Sequence, residues 1–392
     1  MPNFKCKSIK SLVLPFTQDE VSFLWICHDA RSSLLFVKIV NEHFFLQIVK
    51  QNDAFVIKAE KHSKPTQIGY VQKALLVFKN TFAKDVISEA FALKKTHLLK
   101  KNKFIENDIL SLLENTQKYN RVYLEIGFGS GRHLLYQARE NPNILILGVE
   151  IYMPALEQVA NLAMKEGLDN ILLMQNDARL LLSVLKNHCL AKIFLHFPVP
   201  WDKQPQRRVV SLDFVKNCQR VLQKGGCFEL RTDSKAYLDF TLQQFLTLQT
   251  CKAQINKNAD LGVTSKYEAR WKRQEKDIYD LCVYNETFDD NELACFDFKL
   301  KDFKPLMSVE KLKQNFAKKH FRGEDYFLSL ENMYVKDEQS VVLKIAFGSF
   351  YSPEHMYLLF DEKLSFLFNE PFKTEQNFKA LQKLLNFLNQ EI

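Results

Sequence analysis

No stretch of this 392-residue chain approaches the roughly 20 consecutive uncharged apolar residues that a bilayer-spanning helix needs. The opening MPNFKCKSIKSLVLPFTQDE also has too short an apolar stretch for a signal peptide. A cytoplasmic protein with no membrane partner is therefore expected. Cysteine is scattered: Cys6, Cys27, Cys189, Cys218, Cys227, Cys251, Cys282 and Cys295 form no CxxC pair and lack a nearby His spacing. That argues against zinc or any other metal and for reduced, mostly buried thiols. Internal repeats and low-complexity tracts are missing too. With 46% hydrophobic and 26% charged residues the chain is near the soluble average, so broad disorder is excluded and two or three domains are expected.

Negative charge is the scarcer sign, with 46 Asp+Glu against 54 Lys+Arg. This permits a polyanionic partner without establishing one. The excess lies in residues 1–120 (18 basic, 11 acidic) and 121–285 (22 and 17), whereas 286–392 is acidic (14 and 18). A phosphate-facing surface is thus expected in the first two thirds. The lysines at 94, 95, 100, 101 and 103 are candidates for it, although such runs are more often solvated faces.

Residues 10–60 read as short β-rich segments at Val21 to Ile26, Leu34 to Val40 and Phe44 to Val49. A β-rich N-terminal domain over 1–95 follows. The spacing of Leu98, Ile105, Ile109, Leu112 and Leu113 predicts helix within 85–119 and a helical connector over 96–120. From Arg121 short apolar runs (RVYLEIG, ILILGVEI, ILLMQNDA, KIFLHFP, GGCFELRTD) alternate with helical stretches. Continuous apolar strands separated by helices mean a parallel sheet covered on both faces, a doubly wound Rossmann-like α/β domain over 121–288. Segments 250–256 and 278–285 fit an antiparallel hairpin at its edge. The acidic, Phe-rich extension 289–392 reads as α+β, with strands Val341 to Phe347 and Met356 to Phe360 around a turn and a closing helix Glu375 to Leu388.

Glycine is rare, 11 in all, yet Gly127, Gly129 and Gly131 fall within five positions between the strand RVYLEI and a helical stretch. Such a turn lets backbone approach a nucleoside ligand; the plain alternative is an ordinary strand-to-helix loop. A dinucleotide turn wants GxGxxG, but its third glycine position holds Arg132. The order is instead ExGxGxG from Glu125, and a carboxylate at that turn repels a pyrophosphate while suiting an ammonium. Glu150, at the end of GVEI, stands where an acid accepts ribose hydroxyls, and Asp177 in QNDA could receive an adenine amino group. Each acid alone could equally be a helix cap or surface group. Together they describe S-adenosyl-L-methionine, which has an amino-acid tail, ribose and adenine but no phosphate.

The fourth strand runs into LHFPVPWDKQPQRR, whose prolines around Val199 impose a rigid extended loop. Trp201, Lys203, Arg207 and Arg208 then lie near the proposed methyl donor, an aromatic and basic set able to stack a base and grip phosphates. The alternative is a core Trp201 and a surface Arg pair.

These segments resemble the bacterial tRNA (guanine-N7-)-methyltransferases. The resemblance is carried by LEIGFGSGRH, GVEI, QNDA, HFPVPWDK, GGCFELRTDSKAY and SKYEARW followed by YDL, in that order over Arg121 to about Asn285. It implies a class I methyltransferase domain acting on a guanine of the tRNA variable loop. It also implies that Glu125, Glu150 and Asp177 bind S-adenosyl-L-methionine and that Lys203, Asp233 and the run Ser265, Lys266, Tyr267, Glu268 bind substrate. Where the family usually has an acid between the two prolines, this chain has Val199, and the stretch after Trp201 is shorter and less basic. Guanine N7 carries a lone pair and no proton, so positioning rather than a general base can carry catalysis, and no catalytic residue is assigned. Asp233 and Glu268 are the better acceptors for the guanine N1 and N2 hydrogens; for Asp233 a helix cap is the alternative.

Two rivals stand beside this reading: a methyltransferase of another RNA or a small molecule, and a non-catalytic RNA-binding protein on the same fold. The basic N-terminal region is expected to hold the tRNA body, and the acidic C-terminal region to pack against the rest or meet another protein. The oligomeric state stays open, with a monomer slightly favoured.

Overall fold

The structure is a computed structural model that describes residues 2–92, 102–106, 108–260, 262, 268–269, 273–288, 296–298, 300 and 303–389. Chain contacts divide it into two units, Met1–Lys100 with Phe296–Ile392, and Lys101–Cys295.

The second unit runs β1 (Ile105–Glu106), α1 (Ile109–Thr116), β2 (Val122–Ile126), α2 (Arg132–Glu140), β3 (Leu145–Glu150), α3 (Met153–Glu166), β4 (Ile171–Gln175), α4 (Ala178–Val184), β5 (Leu190–His196), α5 (Leu212–Val221), β6 (Leu222–Thr232), α6 (Lys235–Phe245), β7 (Lys252–Lys257) and β8 (Tyr279–Tyr284). The sheet order is β7-β8-β6-β5-β2-β3-β4-β1. Pairings from β1 through β6 are parallel; β8 runs antiparallel to β6, and β7 antiparallel to β8. The expected edge hairpin is therefore present.

Alternation along each strand explains the two covered faces. Leu124, Leu147, Ile193, Phe228 and Leu281 point to the side holding Leu181, Leu182, Phe214, Val215, Tyr237 and Leu238 from α4, α5 and α6. Tyr123, Ile146, Leu173 and Phe194 point to the other, against Leu134, Leu135, Leu156, Val159 and Ala160 from α2 and α3. Ser211 and Ser234 cap α5 and α6 by accepting from Phe214 and Tyr237 N–H groups, which fixes where the chain leaves the sheet. Strand order reverses between β2 and β5, and at such a switch point a crevice opens at the carboxyl ends of the strands.

In the first unit both flanks of the chain share one twelve-stranded sheet. The strand Val21–His28 lies beside Phe327–Val335, pairing His28 with Val335. Helix Ile68–Phe82 covers the N-terminal strands and helix Glu375–Leu388 the C-terminal ones, each over its own core. The β segments read between residues 21 and 49 and the C-terminal strands and helix occur as expected. The stretch read as helix from residue 85 does not: Ala83–Glu89 is an edge strand pairing with Asn3–Ile9, and within 102–120 only Ile109–Thr116 is α-helical among the described residues. A partner strand eighty residues away outweighs the local propensity of 83–89. Lys94, Lys95, Lys100 and Lys101 lie outside the described residues.

Candidate functional site

The turn between β2 and α2 requires its glycines. Gly127, Gly129 and Gly131 have φ of 67°, 50° and 72°, the left-handed region that other residues enter only with strain. A Cβ on Gly127 or Gly129 would meet nothing within 4 Å, whereas one on Gly131 would lie 2.3 Å from Val159 Cγ2. The first two glycines thus leave open space over the turn, and the third lets α3 pack against its base. The 2.8 Å bond from Gly127 N–H to the Val149 carbonyl ties the turn to the next strand.

Glu150 ends β3 half-buried. Its Oε1 accepts from the N–H groups of Ile151 (2.8 Å) and Tyr152 (3.2 Å), and its Oε2 from Gly129 N–H at 3.3 Å. The carboxylate therefore bridges the glycine turn and the entry to α3. Beside it, Ile151 is 73% and Tyr152 64% exposed, an apolar surface next to an acid that a purine ring could cover. Sequence reasoning had no role for this pair; two bulky apolar residues directly after a strand-end acid were the available signal.

Glu125 is turned inward at 3% exposure, and His133 on α2 donates from Nδ1 to its Oε2 at 2.8 Å. Behind them His196 Nε2 pairs with Glu229 Oε1 at 2.9 Å, and the two imidazole rings lie 4.4 Å apart. Burial presses the His133 pKa down, but the carboxylates of Glu125 and Glu229 outweigh it and the pKa is raised. Burial pushes Glu229 up, yet hydrogen bonding and charge from His196 and His133 leave it lowered. Asp177 caps α4: it accepts from Arg179 N–H at 2.9 Å and holds the Arg179 guanidinium at 2.5 Å. The capping alternative is thus realised in this structure, with a half-buried carboxylate already matched to a cation.

The loop after β5 holds two non-glycine residues in the left-handed region, Phe197 (φ 50°) and Trp201 (φ 46°). Such strain persists only where surroundings fix it and concentrates at binding loops. Here Phe197 N–H donates to the Arg231 carbonyl at 2.7 Å and the Arg207 guanidinium sits 4.1 Å over the Trp201 ring. Arg208 is the buried member at 8% exposure. Its Nε donates to the Pro200 carbonyl at 2.8 Å, its Nη2 lies 3.5 Å from Asp202, and its guanidinium is 4.6 Å from the Phe240 ring. Its donors therefore hold the loop from within, while Lys203 and Arg207 are exposed and Val199 is 61% exposed.

At the end of β6, Asp233 lies just before α6, but Ser234, not Asp233, makes the cap. Asp233 keeps a partly accessible carboxylate 3.0 Å from Lys276 Nζ. Glu268 differs. It is 2% exposed and both oxygens face Arg231, at 2.8 Å from Nη2 and 3.3 Å from Nε. Arg231, itself 1% exposed, also binds Asp280 at 2.5 Å and the Ala259 carbonyl at 2.9 Å. Glu268 itself is thus tied to the sheet. Arg231, Asp280, His133 and His196 had no assigned role from sequence, although RTD and YDL carried the resemblance; the sequence separation of 49 between Arg231 and Asp280 hides their ion pair. Ser265, Lys266 and Tyr267 lie outside the described residues.

Comparison with known proteins agrees with this geometry. Residues 119–281 match a family model described as "Putative methyltransferase". The chain is 53% identical over 395 residues, covering 99% of itself and 98% of the relative, to the tRNA (guanine-N(7)-)-methyltransferase of Campylobacter jejuni subsp. jejuni serotype O:23/36 (strain 81-176). The like-named protein of Campylobacter fetus subsp. fetus (strain 82-40) is 42% identical over 99% of both chains. That of Wolinella succinogenes is 33% identical over 99% of this chain and 100% of its own. Glycine turn, strand-end acids and full-length identity together lead to one assignment: this chain belongs to the tRNA (guanine-N(7)-)-methyltransferase family.

Proposed function

We propose that the protein transfers a methyl group from S-adenosyl-L-methionine to N7 of a guanine in the variable loop of tRNA. The observation that carries this reading is the open glycine turn flanked by Glu125 and Glu150, with the Trp201–Arg207 loop at the same end of the sheet. The residues present fit the cofactor: a cradle open above Gly127 and Gly129, an apolar shelf at Ile151 and Tyr152, and carboxylates in place of a phosphate-binding helix start. When bound, S-adenosyl-L-methionine supplies an electrophilic methyl on a sulfonium.

The chain's own residues would then do the following. Glu150, with the long Gly129 bond its weakest, accepts a ribose hydroxyl at Oε2. Glu125 balances the ammonium of the amino-acid tail, and Asp177 with Asn176 borders the adenine end. Trp201 and Arg207 offer a stacking surface for a nucleotide, Lys203 a phosphate contact, and Asp233 a carboxylate acceptor for guanine N1 and N2 hydrogens. Guanine N7 attacks with its own lone pair, so no side chain need remove a proton, and the rate gain comes from holding the two reactants in line. The exposed Val199 takes no polar part in this.

Incubating the protein with radiolabelled donor and unmodified tRNA, then mapping the labelled base, tests the reading. Label at guanine N7 in the variable loop supports it. Label on another base, or none on tRNA with an active donor-binding protein, refutes it.

A further inference from the structure

A line of hydrogen bonds runs along α2 to Glu125. Asn141 Nδ2, at the end of the helix, lies 3.2 Å from Gln137 Oε1. Gln137 Nε2 lies 3.1 Å from His133 Nε2, and His133 Nδ1 lies 2.8 Å from Glu125 Oε2. His133 and Gln137 on α2 and the C-cap Asn141 are spaced four apart, so they line up along one face of the helix. Each bond sets the next. Asn141 takes the Gln137 oxygen, which turns the Gln137 amide hydrogens toward His133; Nε2 then accepts, and the proton sits on Nδ1, pointing at Glu125. His133 is 5% exposed and boxed in by the Phe194 ring at 4.7 Å, so the arrangement has little freedom to reorganise.

We propose that Asn141, Gln137 and His133 form a positioning relay that holds His133 in the Nδ1–H tautomer and so keeps the Glu125 carboxylate fixed for the ammonium of the methyl donor. The inference rests on the donor-binding role of Glu125 stated above and adds to it the group that orients the acid. None of the three residues touches the reacting atoms.

The relay has a pH consequence. The titratable and charged groups facing His133 are Glu125 on β2, Lys192 and His196 on β5, and Glu229 on β6. When His133 takes a second proton, Gln137 can no longer donate to Nε2 and the imidazolium neutralises Glu125. Affinity for the cationic tail then falls as pH drops through the His133 pKa, which lies above the ordinary 6.5.

The test uses the full-length protein, with wild type compared to H133N, H133A and Q137L between about pH 6 and 8.5, the range that brackets an imidazole titration. KM for S-adenosyl-L-methionine and kcat are measured at saturating tRNA, and S-adenosylhomocysteine affinity is measured by calorimetry. Wild type should show donor KM rising toward acid pH. H133N supplies an amide donor that does not titrate, so its KM should stay within about threefold of the alkaline wild-type value and be flat with pH. H133A should raise KM about tenfold, the scale of one hydrogen bond to a charged group, with the loss in KM rather than kcat. Q137L should raise donor KM at alkaline pH, where Gln137 holds the Nδ1–H tautomer, and converge on wild type toward acid pH, where that bond is already lost. Wild-type KM and pH profile in H133N and H133A, or a loss confined to kcat, would overturn the relay. If H133A does not fold, H133N against wild type decides alone. A protein that binds S-adenosylhomocysteine but methylates no tRNA would refute the functional reading while the calorimetric arm still judges the relay; a protein that binds no donor overturns both.

Discussion

Gly131→Ala separates the two demands that the turn after β2 makes on its third glycine. A side chain at φ 72° costs roughly 1–2 kcal/mol because Cβ crowds the following carbonyl. The new methyl would also lie 2.3 Å from Val159 Cγ2, on a fully buried, β-branched residue whose χ1 cannot swing away, and overpacking of this kind costs about 1–3 kcal/mol. The total expected loss is about 2–5 kcal/mol, read as a lower urea midpoint for unfolding. Because the strain is located at the turn itself, donor KM should rise at least about tenfold, the equivalent of some 1.4 kcal/mol of it reaching the bound state. A double-mutant cycle with Val159→Ala isolates the packing part: the pair should show a favourable coupling of about 1–3 kcal/mol, while the backbone part persists. Zero coupling, or a G131A protein with wild-type urea midpoint and donor KM, would refute the idea that helix packing dictates this glycine.

Arg231→Met leaves Glu268 and Asp280 buried without their cation, a loss of about 3–5 kcal/mol that the triple variant with E268Q and D280N should largely recover; equal urea midpoints for single variant and wild type would contradict this. In the first unit, burial pushes Glu354 from its ordinary 4.5 up to about 7, despite hydrogen bonds from Asn377 and the Phe372 N–H. Its folded pKa is the higher one, so the stability it confers is present below pH 4.5 and is lost as pH rises through about 7, by about 3 kcal/mol in all. E354Q should flatten that part of the stability-versus-pH curve, and unchanged slopes would sink the assignment. Lys38, Lys50, Lys61 and Lys64 are exposed in the basic N-terminal region. Replacing them with Gln should raise KM for tRNA and lower the salt slope by up to about one for each phosphate no longer neutralised, with donor KM unmoved; unaltered salt dependence would remove this region from tRNA binding.

What could be read from sequence was local. The glycine turn, Glu150 at a strand end and the edge hairpin follow from consecutive residues, because a Gly-rich turn and a period-two pattern are written within a dozen positions. Pairings across large separations were not legible. Arg231 meets Asp280 only because β6 and β8 pair antiparallel, and His28 meets Val335 only because strands from opposite ends of the chain share a sheet. The second case also changes an experiment. Deleting the N-terminal region, the direct way to probe its role, would remove strands that the C-terminal ones pair with, so surface substitutions are the cleaner choice. Glu268, expected as a substrate acceptor, has its carboxylate against Arg231, an arrangement that no spacing rule announces.

Carboxylates at the rim of the parallel sheet, receiving a sulfonium nucleoside, are what every functional assignment above depends on. A crystal structure of the protein with S-adenosylhomocysteine tests that most directly. The expected result is ligand over Gly127 and Gly129, ribose hydroxyls on Glu150 and adenine against Ile151 and Tyr152. Ligand bound elsewhere, or a rim closed by the protein's own side chains at saturating ligand, would contradict it.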